Sequence, residues 1–581
     1  MSSASMCRTT YMYLHALTSP ARRANLGKAY SRVHRISSRC PRCYSIQTNP
    51  RQGKSISGDH NGTILASSNF SSPETKKQRV VILGSGWAGY SFARTLDPAK
   101  FDRIVISPRG YFVFTPLLAS TSVGTLEFRA VLEPVRRLPG GVRFYQGWAD
   151  DVDFSRKVIR VEANAVDGLP SEVLSSTVPV KQETKKGEVF NVEYDKLVIA
   201  VGAYSQTFGI TGVREHAHFL RDVGDARRIR LRVLSLFEQC SYPTSPSGGS
   251  STHVAEGSLS EADKRSLLHF VIVGGGPTGI EFAAELHDLI HEDLKRLYPE
   301  LMPLVRITVY DIAPKVLPMF DQALAQYAMD TFARQGIQVR TEHHLERVRI
   351  ADGALGSAHG GLSIKIKEYS EEVNAGLVVW STGLMQNPFV EHLVGKEFAL
   401  AKDTDHQKGQ DAQRCRLVKD AKTGGILTDA YLRARITDNE ASQPHDTAGA
   451  TAKPVMPDVF VIGDCAVNEH DRSLPKTAQV AAQQAGYLAK HLNKATHNGS
   501  LDSVDVSSTW KPFKFRNWGT LTYLGGWKAI HQSSADELRG WVAWVVWRGA
   551  YLTRSMSLRN KMMVPVYWFV SWVFGRDISR F

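Results

Sequence analysis

The fold is decided by two stretches of the same form, Val80-Val81-Ile82-Leu83-Gly84-Ser85-Gly86-Trp87-Ala88-Gly89 and Phe270-Val271-Ile272-Val273-Gly274-Gly275-Gly276-Pro277-Thr278-Gly279. In each, an apolar run typical of a buried strand leads into G-x-G-x-x-G and then into a helix pattern. The first glycine allows a tight turn, the second lets the backbone approach a pyrophosphate, and the third lets the helix pack on the strand. One match is weak evidence, but two matches predict two dinucleotide sites. Their binding glycines are Gly84, Gly86, Gly89, Gly274, Gly276 and Gly279.

The residue after the second strand of each unit indicates which dinucleotide is bound. After the second glycine turn, the strand 307–310 is followed by Asp311, whose carboxylate can bond a ribose 2′-OH and repel a 2′-phosphate. The second site is therefore predicted to bind NADH rather than NADPH. After the first turn, the strand 103–106 leads to Ser107-Pro108-Arg109 without a carboxylate. Arg109 is the candidate to lie against the adenosine half of the first cofactor.

Three further apolar strands end in small residues and glycine. Two of them end at Gly202 and Gly383, where we expect the chain to cross between the two dinucleotide-binding units. The third ends in Gly463-Asp464. Gly463 permits close approach, and the Asp464 carboxylate is suited to accept hydrogen bonds from flavin ribityl hydroxyls. This order of motifs predicts a flavoprotein with two dinucleotide sites, of which the first binds FAD.

Composition sets further limits on the class of protein. A chain of 581 residues exceeds what one hydrophobic core usually serves, and it holds no run of about 18 apolar residues that would suggest a membrane span. The net charge of +14 is concentrated near the ends of the chain. At the N-terminal end, residues 1–58 contain ten Lys or Arg and no Asp or Glu. That Arg-rich, Ser-rich composition is typical of a mitochondrial transit peptide. Nucleic acid is therefore not an expected partner.

The fold class is predicted as α/β, with two Rossmann-like dinucleotide-binding domains and a helical, membrane-binding domain at the C-terminus. We expect four polar insertions to be surface loops, at residues 163–188, 241–264, 402–423 and 437–453. The predicted domains are the transit peptide and linker at 1–78, the FAD-binding domain at 79–230 and 385–509, the inserted NADH-binding domain at 231–384, and the membrane-anchoring domain at 510–581.

Together these residues resemble the type II NADH dehydrogenases, single-chain NADH:ubiquinone oxidoreductases of mitochondria and bacteria, and in particular the fungal alternative enzymes. The resemblance runs from about Arg79 to the C-terminus and is most specific at 106–109 with 112–118, at 274–286 and at 477–484. It implies that a hydride passes from NADH to non-covalently bound FAD, and two electrons then pass to ubiquinone at the inner mitochondrial membrane without proton pumping. A related flavin-dependent quinone reductase and a flavoprotein of the apoptosis-inducing type stay open as alternatives.

The resemblance also assigns roles to single residues. Gln479 and Gln483 share one face of a helix and line the quinone site, with an ordinary Ala/Gln-rich surface helix as the alternative. Thr115 and Ala478 are implied to contact the flavin, and Glu281 is implied to lie near the nicotinamide and the flavin. Lys476 departs from the family pattern, because relatives carry proline there.

Two other chemistries are not expected from the sequence. Disulfide reductases of this architecture need a redox cysteine pair, whereas the comparable region reads Thr115-Pro116-Leu117-Leu118. Electrons should therefore leave the flavin directly. His287 and His291 lie one helical turn apart, but the H-E-x-x-H pattern is missing, so no metal site is expected.

The C-terminal tail from Arg539 to Phe581 mixes aromatic and basic residues in apolar runs too short to cross a bilayer. This mixture predicts a helix pair lying in the membrane interface, so that the protein is peripheral. A dimer-interface helix pair is the alternative, and both can hold, since the family dimerises through this region; a homodimer is expected. The missing apolar segment after the presequence favours the matrix face of the inner membrane.

Overall fold

The computed structural model of the chain describes residues 77–164, 187–242, 259–400, 413–438, 454–495, 510–533 and 536–580. The predicted transit peptide lies outside the described residues, as do parts of the four polar insertions. The helices, in chain order, are α1 (Trp87–Thr95), α2 (Leu118–Ser122), α3 (Val213–His216), α4 (Val223–Ser241), α5 (Glu261–Leu267), α6 (Pro277–Asp288), α7 (Lys295–Leu297), α8 (Gln322–Arg334), α9 (Gly353–Ser357), α10 (Pro388–Gly395), α11 (Ala478–Ala495), α12 (Trp541–Arg554) and α13 (Leu558–Phe574).

The larger sheet carries the first glycine turn. Its strands are, in spatial order, Glu397–Leu400, Gln413–Leu417, Arg433–Asp438, Val455–Val461, Lys196–Ile199, Gln78–Leu83, Phe101–Ser107, Arg143–Asp153, Val158–Ala163 and Val189–Glu193, with Ile426–Thr428 and Ala466–Asn468 beside them. The central strands run parallel, and antiparallel strands extend both edges. The central stretches of the parallel strands Gln78–Leu83, Phe101–Ser107 and Lys196–Ile199 are apolar and buried, because helices and loops cover both faces.

The smaller sheet carries the second glycine turn and is parallel throughout. Its order is His218–Phe219, Leu377–Trp380, His269–Val273, Arg306–Tyr310 and Gln338–Arg340. A separate antiparallel sheet packs beside it and consists of Leu345–Ile350, Leu362–Ile366 and Val373–Ala375. Two α/β units of Rossmann type confirm the predicted fold class.

Two short antiparallel strands mark the places where the chain crosses between the units. Ala203–Ser205 follows Gly202 and pairs with Leu384–Gln386, which follows Gly383. The smaller unit is therefore inserted within the larger one, as the two strand ends predicted. Its first strand, His218–Phe219, lies before the expected boundary at residue 231. A second short pair, Tyr111–Val113 with Leu132–Pro134, lies within the larger unit.

Two predicted loops contain regular structure. Gln413–Leu417 is a strand in which Cys415 and Leu417 are buried and Arg414 and Arg416 are exposed. This alternation among polar residues escaped the sequence analysis. The insertion at 241–264 ends in α5, which Ser260 caps by accepting a hydrogen bond from the backbone N–H of Asp263.

The C-terminal domain contains strands in addition to the predicted helices. It begins with a three-stranded antiparallel sheet of Thr520–Gly525, Lys528–Gln532 and Glu537–Gly540, and the helix pair α12 and α13 follows. Trp547 of α12 and Trp568 of α13 are buried in the core that also holds Phe282 of α6. The domain is therefore packed against the smaller unit.

Candidate active site

A cavity of about 650 Å³ opens at the carboxyl ends of the parallel strands. It is lined by residues from both glycine units and from the C-terminal domain, the last through Leu521 and Tyr551. Most of the predicted cofactor residues are in its wall: Gly84, Gly86, Arg109, Thr115, Gly202, Gly383, Gly463, Asp464 and Ala478. Glu281 lies in the same wall, although it belongs to the smaller unit. The cavity is thus the place where the two units and the C-terminal domain meet.

The first glycine turn has the backbone geometry that its pattern predicts. Gly84 has a φ of +105°, which a residue with a side chain rarely adopts, and an added Cβ would strike the carbonyl oxygen of Ala200. An added Cβ at Gly89 would strike the carbonyl oxygen of Gly84, so α1 can pack closely on the strand only with glycine there. At Gly86, an added Cβ would find no atom within 4 Å. The turn therefore presents bare backbone to the cavity at Gly86.

Arg109 is held at the cavity wall by a buried carboxylate. Its Nη1 donates to Oδ2 of Asp222 at 2.7 Å, and the hydroxyl of Tyr111 donates to Oδ1 at 3.2 Å. Asp222 is fully buried and forms the N-cap of α4. Burial opposes the charge of Arg109, but Asp222 outweighs burial, so the pKa of the guanidinium is raised. Asp222 was missed by the sequence analysis, because its partner lies far away in the chain.

The Gly463-Asp464 turn is fixed from α11. The backbone N–H of Gly463 donates to Oε1 of Gln484 at 2.7 Å, and Gln484 is buried. Burial raises the pKa of the Asp464 carboxyl, while Arg221 and Lys476 act in the opposite direction. Gln484 was not predicted, although it belongs to the family stretch 477–484.

Arg221 is a second functional candidate that the sequence analysis missed. It lines the cavity, and its Nη1 is buried without a hydrogen-bond partner in the described part of the chain. Burial lowers the pKa of this guanidinium, and Asp464 counteracts the effect. A buried donor without a partner costs about 1–3 kcal/mol, so a ligand that supplies an acceptor would be stabilised there. No pattern around Arg221 distinguishes it from a surface arginine.

Glu281 projects from α6 into the cavity wall and is 7% exposed. Its Oε1 accepts from the backbone N–H of Tyr523 and from Nε1 of Trp547, each at 3.2 Å. Burial raises the pKa of the carboxyl to about 8, although both hydrogen bonds favour the charged form. Glu281 is therefore mainly protonated at neutral pH, and the C-terminal domain completes its surroundings.

The second glycine turn has the same build as the first. Gly274 has a φ of +112°, an added Cβ at Gly279 would strike the carbonyl oxygen of Gly274, and Gly276 faces open space. Asp311 lies directly against this turn: its carboxylate accepts the N–H of Gly275, and Oδ1 accepts the N–H of Ala313 at 2.7 Å. The structure thus places Asp311 beside the glycines of the second site, as the strand end predicted.

Gln479 and Gln483 do not line the cavity; Ala478 and Ala481 of the same helix do. Gln479 donates to the carbonyl of Gly519 at 2.8 Å and accepts from the N–H of Trp518 at 3.3 Å. Gln483 donates to the carbonyl of Arg516 at 2.8 Å and accepts from the same residue's N–H at 3.0 Å. A carboxamide carries both a donor and an acceptor, so each glutamine bonds both a backbone carbonyl and a backbone N–H of residues 516–519. The two side chains clamp residues 516–519 to α11.

In the described part of the chain, the cysteines and the histidine pair lie outside the cavity wall. The described cysteines, Cys240, Cys415 and Cys465, are buried, and none of them is in the cavity wall. His287 and His291 stack on each other with ring centroids 4.0 Å apart, and no cluster of three His, Cys, Asp or Glu suited to a metal occurs in the part of the chain that the structure describes.

The tail forms the predicted helix pair, and one side of it is exposed and apolar. Trp541 is 70% exposed and Phe574 80% exposed, whereas Trp547 and Trp568 point inward. Arg548 is sandwiched between Trp544 and Trp568, at 4.2 and 4.4 Å from the ring centroids. In the described ranges, no helix is both long and apolar enough to pass through a membrane.

Comparison with known proteins identifies two matching family models. The pyridine nucleotide-disulphide oxidoreductase model matches residues 78–406, and the NDH2 C-terminal domain model matches residues 518–577. The cavity residues before position 407 lie in the first region, and Leu521 and Tyr551 lie in the second.

Curated relatives match along almost their whole length. A probable NADH dehydrogenase of Dictyostelium discoideum is 36% identical over 513 residues, which cover 87% of this chain and 92% of the relative. The external alternative NAD(P)H-ubiquinone oxidoreductase B1 and the internal enzyme A1, both mitochondrial proteins of Solanum tuberosum, are each 34% identical, with 87% of this chain covered and 91% and 88% of the relatives.

Among solved structures, NDH2 of Plasmodium falciparum in complex with NADH aligns with a TM-score of 0.66 at 22% identity, covering 87% of this chain and all of that chain. The sulfide:quinone oxidoreductase of Aquifex aeolicus aligns with a TM-score of 0.52 at 16% identity, covering 86% and 96%. At these identities the likeness shows a shared fold.

Proposed function

The chain belongs to the family of alternative NAD(P)H-ubiquinone oxidoreductases, the type II NADH dehydrogenases, and we infer from this that it oxidises NADH and reduces ubiquinone without pumping protons. The observation that carries the proposal is the single cavity bounded by the first glycine turn, the start of α6 and the C-terminal domain. A donor and an acceptor can therefore reach one bound cofactor from different sides.

We propose that this cofactor is FAD, bound without a covalent link. Three features support the fit: the bare backbone at Gly86, the unpartnered Nη1 of Arg221, and the acceptor carboxylate of Asp464 in the cavity wall. Gly86 and the start of α1 would hold the pyrophosphate, Arg109 the adenosine half, and Asp464 the ribityl hydroxyls. Gly202, Gly383, Thr115 and Ala478 would complete the wall. When bound, FAD takes a hydride from NADH and delivers two electrons to quinone.

The second glycine turn is the proposed NADH site. Gly276 leaves the start of α6 open to a pyrophosphate, and Asp311 is held where a ribose would follow. Pro277 and Thr278, which begin α6, also line the cavity. The chain's contribution is to bring the nicotinamide toward the cavity in one orientation, since positioning supplies much of the acceleration in a transfer of this kind.

Glu281 is the proposed acid of the site. Its Oε1 is occupied by two N–H donors, so the proton of the neutral carboxyl resides on Oε2. A carboxyl with a pKa of about 8 both holds and releases a proton near neutral pH, which quinone reduction requires.

On the quinone side, we propose that Gln479 and Gln483 shape the site by holding the neighbouring backbone in place. They hold residues 516–519 against α11, and the small side chains of Ala478 and Ala481 leave room in the wall beside Leu521. In this proposal both glutamines shape the quinone site rather than line it.

Steady-state turnover of the purified full chain with NADH and a water-soluble quinone tests the proposed function. We expect a protein-bound flavin that NADH bleaches and quinone restores. A flavin-loaded protein that fails to reduce quinone with NADH would overturn the proposal. Turnover with sulfide in place of NADH would favour the rival quinone reductase. DNA binding that persists in salt, without NADH–quinone turnover, would favour the flavoprotein of the apoptosis-inducing type.

We further propose a peripheral homodimer on the matrix face of the inner mitochondrial membrane. The acid-free, Arg-rich N-terminal segment and the mitochondrial names of the curated relatives support the organelle. The exposed apolar side of α12 and α13 supports attachment to lipid. Protease protection in intact mitochondria tests the face: digestion of the protein before the inner membrane is broken would place it on the outer side. Sedimentation analysis of the purified protein tests the dimer.

A further inference from the structure

Lys476 occupies the cavity wall two residues before the start of α11. It is the only lysine among the described residues that line this cavity. Its Nζ donates to the backbone carbonyl of Ala466. Burial lowers the pKa of the ammonium, while Asp464 and Asp420 counteract the effect. The proposed function gives this residue no role.

The wall also holds Arg109 and Arg221 as cations and Asp464 and Glu281 as acids. Arg109 is paired with Asp222 at 2.7 Å, and Arg221 faces Asp464. Glu281, with its pKa of about 8, carries little charge at neutral pH.

The carboxylate of Asp420, outside the wall, has its own partners in Thr423 and Arg472. Arg221 and Lys476 thus share the carboxylate of Asp464, so the wall keeps an excess of positive charge that includes Lys476. Lys476 lies beside the N-terminal end of an 18-residue helix, whose dipole adds positive potential at the same place.

We propose that Lys476 raises the reduction potential of the bound flavin by placing a fixed positive charge where the reduced cofactor is negatively charged. The inference rests on the proposed function, since it requires a flavin in this cavity. A charge that interacts more strongly with the reduced than with the oxidised form shifts the balance between them. Because the wall is buried, the interaction is screened less than at the surface. Lys476 acts on the equilibrium between oxidised and reduced flavin and need not exchange a proton with the cofactor.

The test compares the midpoint potential of the flavin in the full-length protein with that in K476M and K476Q, by equilibration with a reference dye. Glutamine keeps an N–H donor for the Ala466 carbonyl but carries no charge, so it serves if K476M does not retain flavin. We expect about a tenfold shift toward oxidised flavin in both variants, which is about 30 mV for a two-electron couple. K476R should retain the parent potential. K490M, which removes an exposed lysine from the same helix, should also leave it unchanged.

A purely structural role for Lys476 predicts a different pattern. K476Q and K476M would then lower the melting temperature or the flavin content, and their potentials would equal that of the parent protein. That result would overturn the inference. A parent protein that binds no flavin at all would instead overturn the proposed function, so the two failures are distinguishable.

Discussion

At the scale of single residues, Asp311 fixes its own turn and is the proposed partner of the NADH ribose. Since its carboxylate accepts the N–H groups of Gly275 and Ala313, two substitutions should differ. Asp311→Asn keeps an acceptor for the turn but loses the charge that repels a 2′-phosphate. We expect it to relax the preference for NADH over NADPH by about 1.5–3 kcal/mol, roughly tenfold to a hundredfold in kcat/KM. Asp311→Ala should raise the KM for both nucleotides. An unchanged preference in both variants would contradict the assignment.

The protonation of Glu281 should appear in the pH dependence of stability. Burial raises the pKa of its carboxyl from 4.5 to about 8, so the folded protein binds a proton that the unfolded chain releases between these values. The stability that this group contributes is complete below pH 4.5 and is lost as pH rises toward 8, by at most about 1.4 kcal/mol per pH unit.

Glu281→Gln removes the titration and keeps an oxygen for the N–H groups of Tyr523 and Trp547. Urea unfolding between pH 5 and 8 should therefore give a free energy that falls more steeply with pH for the parent than for the variant. Parallel curves would show that Glu281 ionises normally in the folded protein.

Some residues of the candidate site can be predicted from the sequence, and others cannot. The glycine turns and Asp311 were predictable, because their roles depend on local backbone geometry and on the order of strands. Asp222 and Arg221 were not, because an ion pair or an unpartnered donor depends on which distant strands the fold brings together. Asp222 and Arg109 are 113 positions apart in the chain.

At the scale of elements, α11 presents adjacent residues to different partners. Gln484 fixes the N–H of Gly463 at the cavity, whereas Gln479 and Gln483 bind residues 516–519. We expect the double variant Gln479→Leu with Gln483→Leu to slow quinone reduction while NADH still bleaches the flavin in a single turnover. Each lost hydrogen bond should cost about 1 kcal/mol of stability. The half-reactions are measured separately by stopped-flow absorbance. Equal loss of both would assign the glutamines to the flavin or to the fold.

Gln484→Leu is the matched control on the same helix. It leaves the N–H of Gly463 without its partner, so the expected effect is a lower flavin content, with both half-reactions unchanged per bound flavin. Flavin content is read from absorbance after gel filtration. Retention of flavin equal to that of the parent protein would remove Gln484 from the proposed cofactor site.

The sequence pattern predicts some helices and strands of the structure but not their long-range contacts. The 3.6-residue pattern predicted α11 and placed both glutamines on one face, yet their partners lie more than 30 residues further on. The strand Gln413–Leu417 was missed, because alternating burial of Cys415 and Leu417 beside arginines resembles a polar loop in a sequence. The sheet at 520–540 was also missed. The family resemblance identified the helix but not the direction of its side chains.

At the scale of the whole molecule, the C-terminal domain has an inner face that contributes to the cavity and an outer face that is the proposed lipid-facing side. Its inner face contributes Trp547 to Glu281 and Tyr551 to the cavity wall. Truncating the chain before Trp541 would therefore damage the site as well as any membrane contact. A surface test must leave the inner face intact, and the exposed residues of α13 permit this.

The proposed lipid-facing surface is defined by the exposed apolar side chains of α13: Leu558, Met562, Val566, Phe569, Val570, Trp572, Val573 and Phe574. Each large side chain that enters the apolar layer gains up to about 1.5–3 kcal/mol, and the exposed Arg559 and Lys561 add attraction to anionic lipid. Several such side chains suffice for stable peripheral attachment, even when each is only partly buried.

The triple variant Phe569→Gln, Trp572→Gln and Phe574→Gln should keep flavin and NADH oxidation with a soluble acceptor, because none of these residues lines the cavity. We expect it to lose sedimentation with anionic liposomes and turnover with long-tailed quinone. If the same surface instead forms the dimer interface, the variant becomes monomeric and its liposome binding is unchanged. Arg559→Gln with Lys561→Gln is the matched control, which should weaken liposome binding mainly at low salt. Undiminished liposome binding by the triple variant would exclude α13 as the attachment surface.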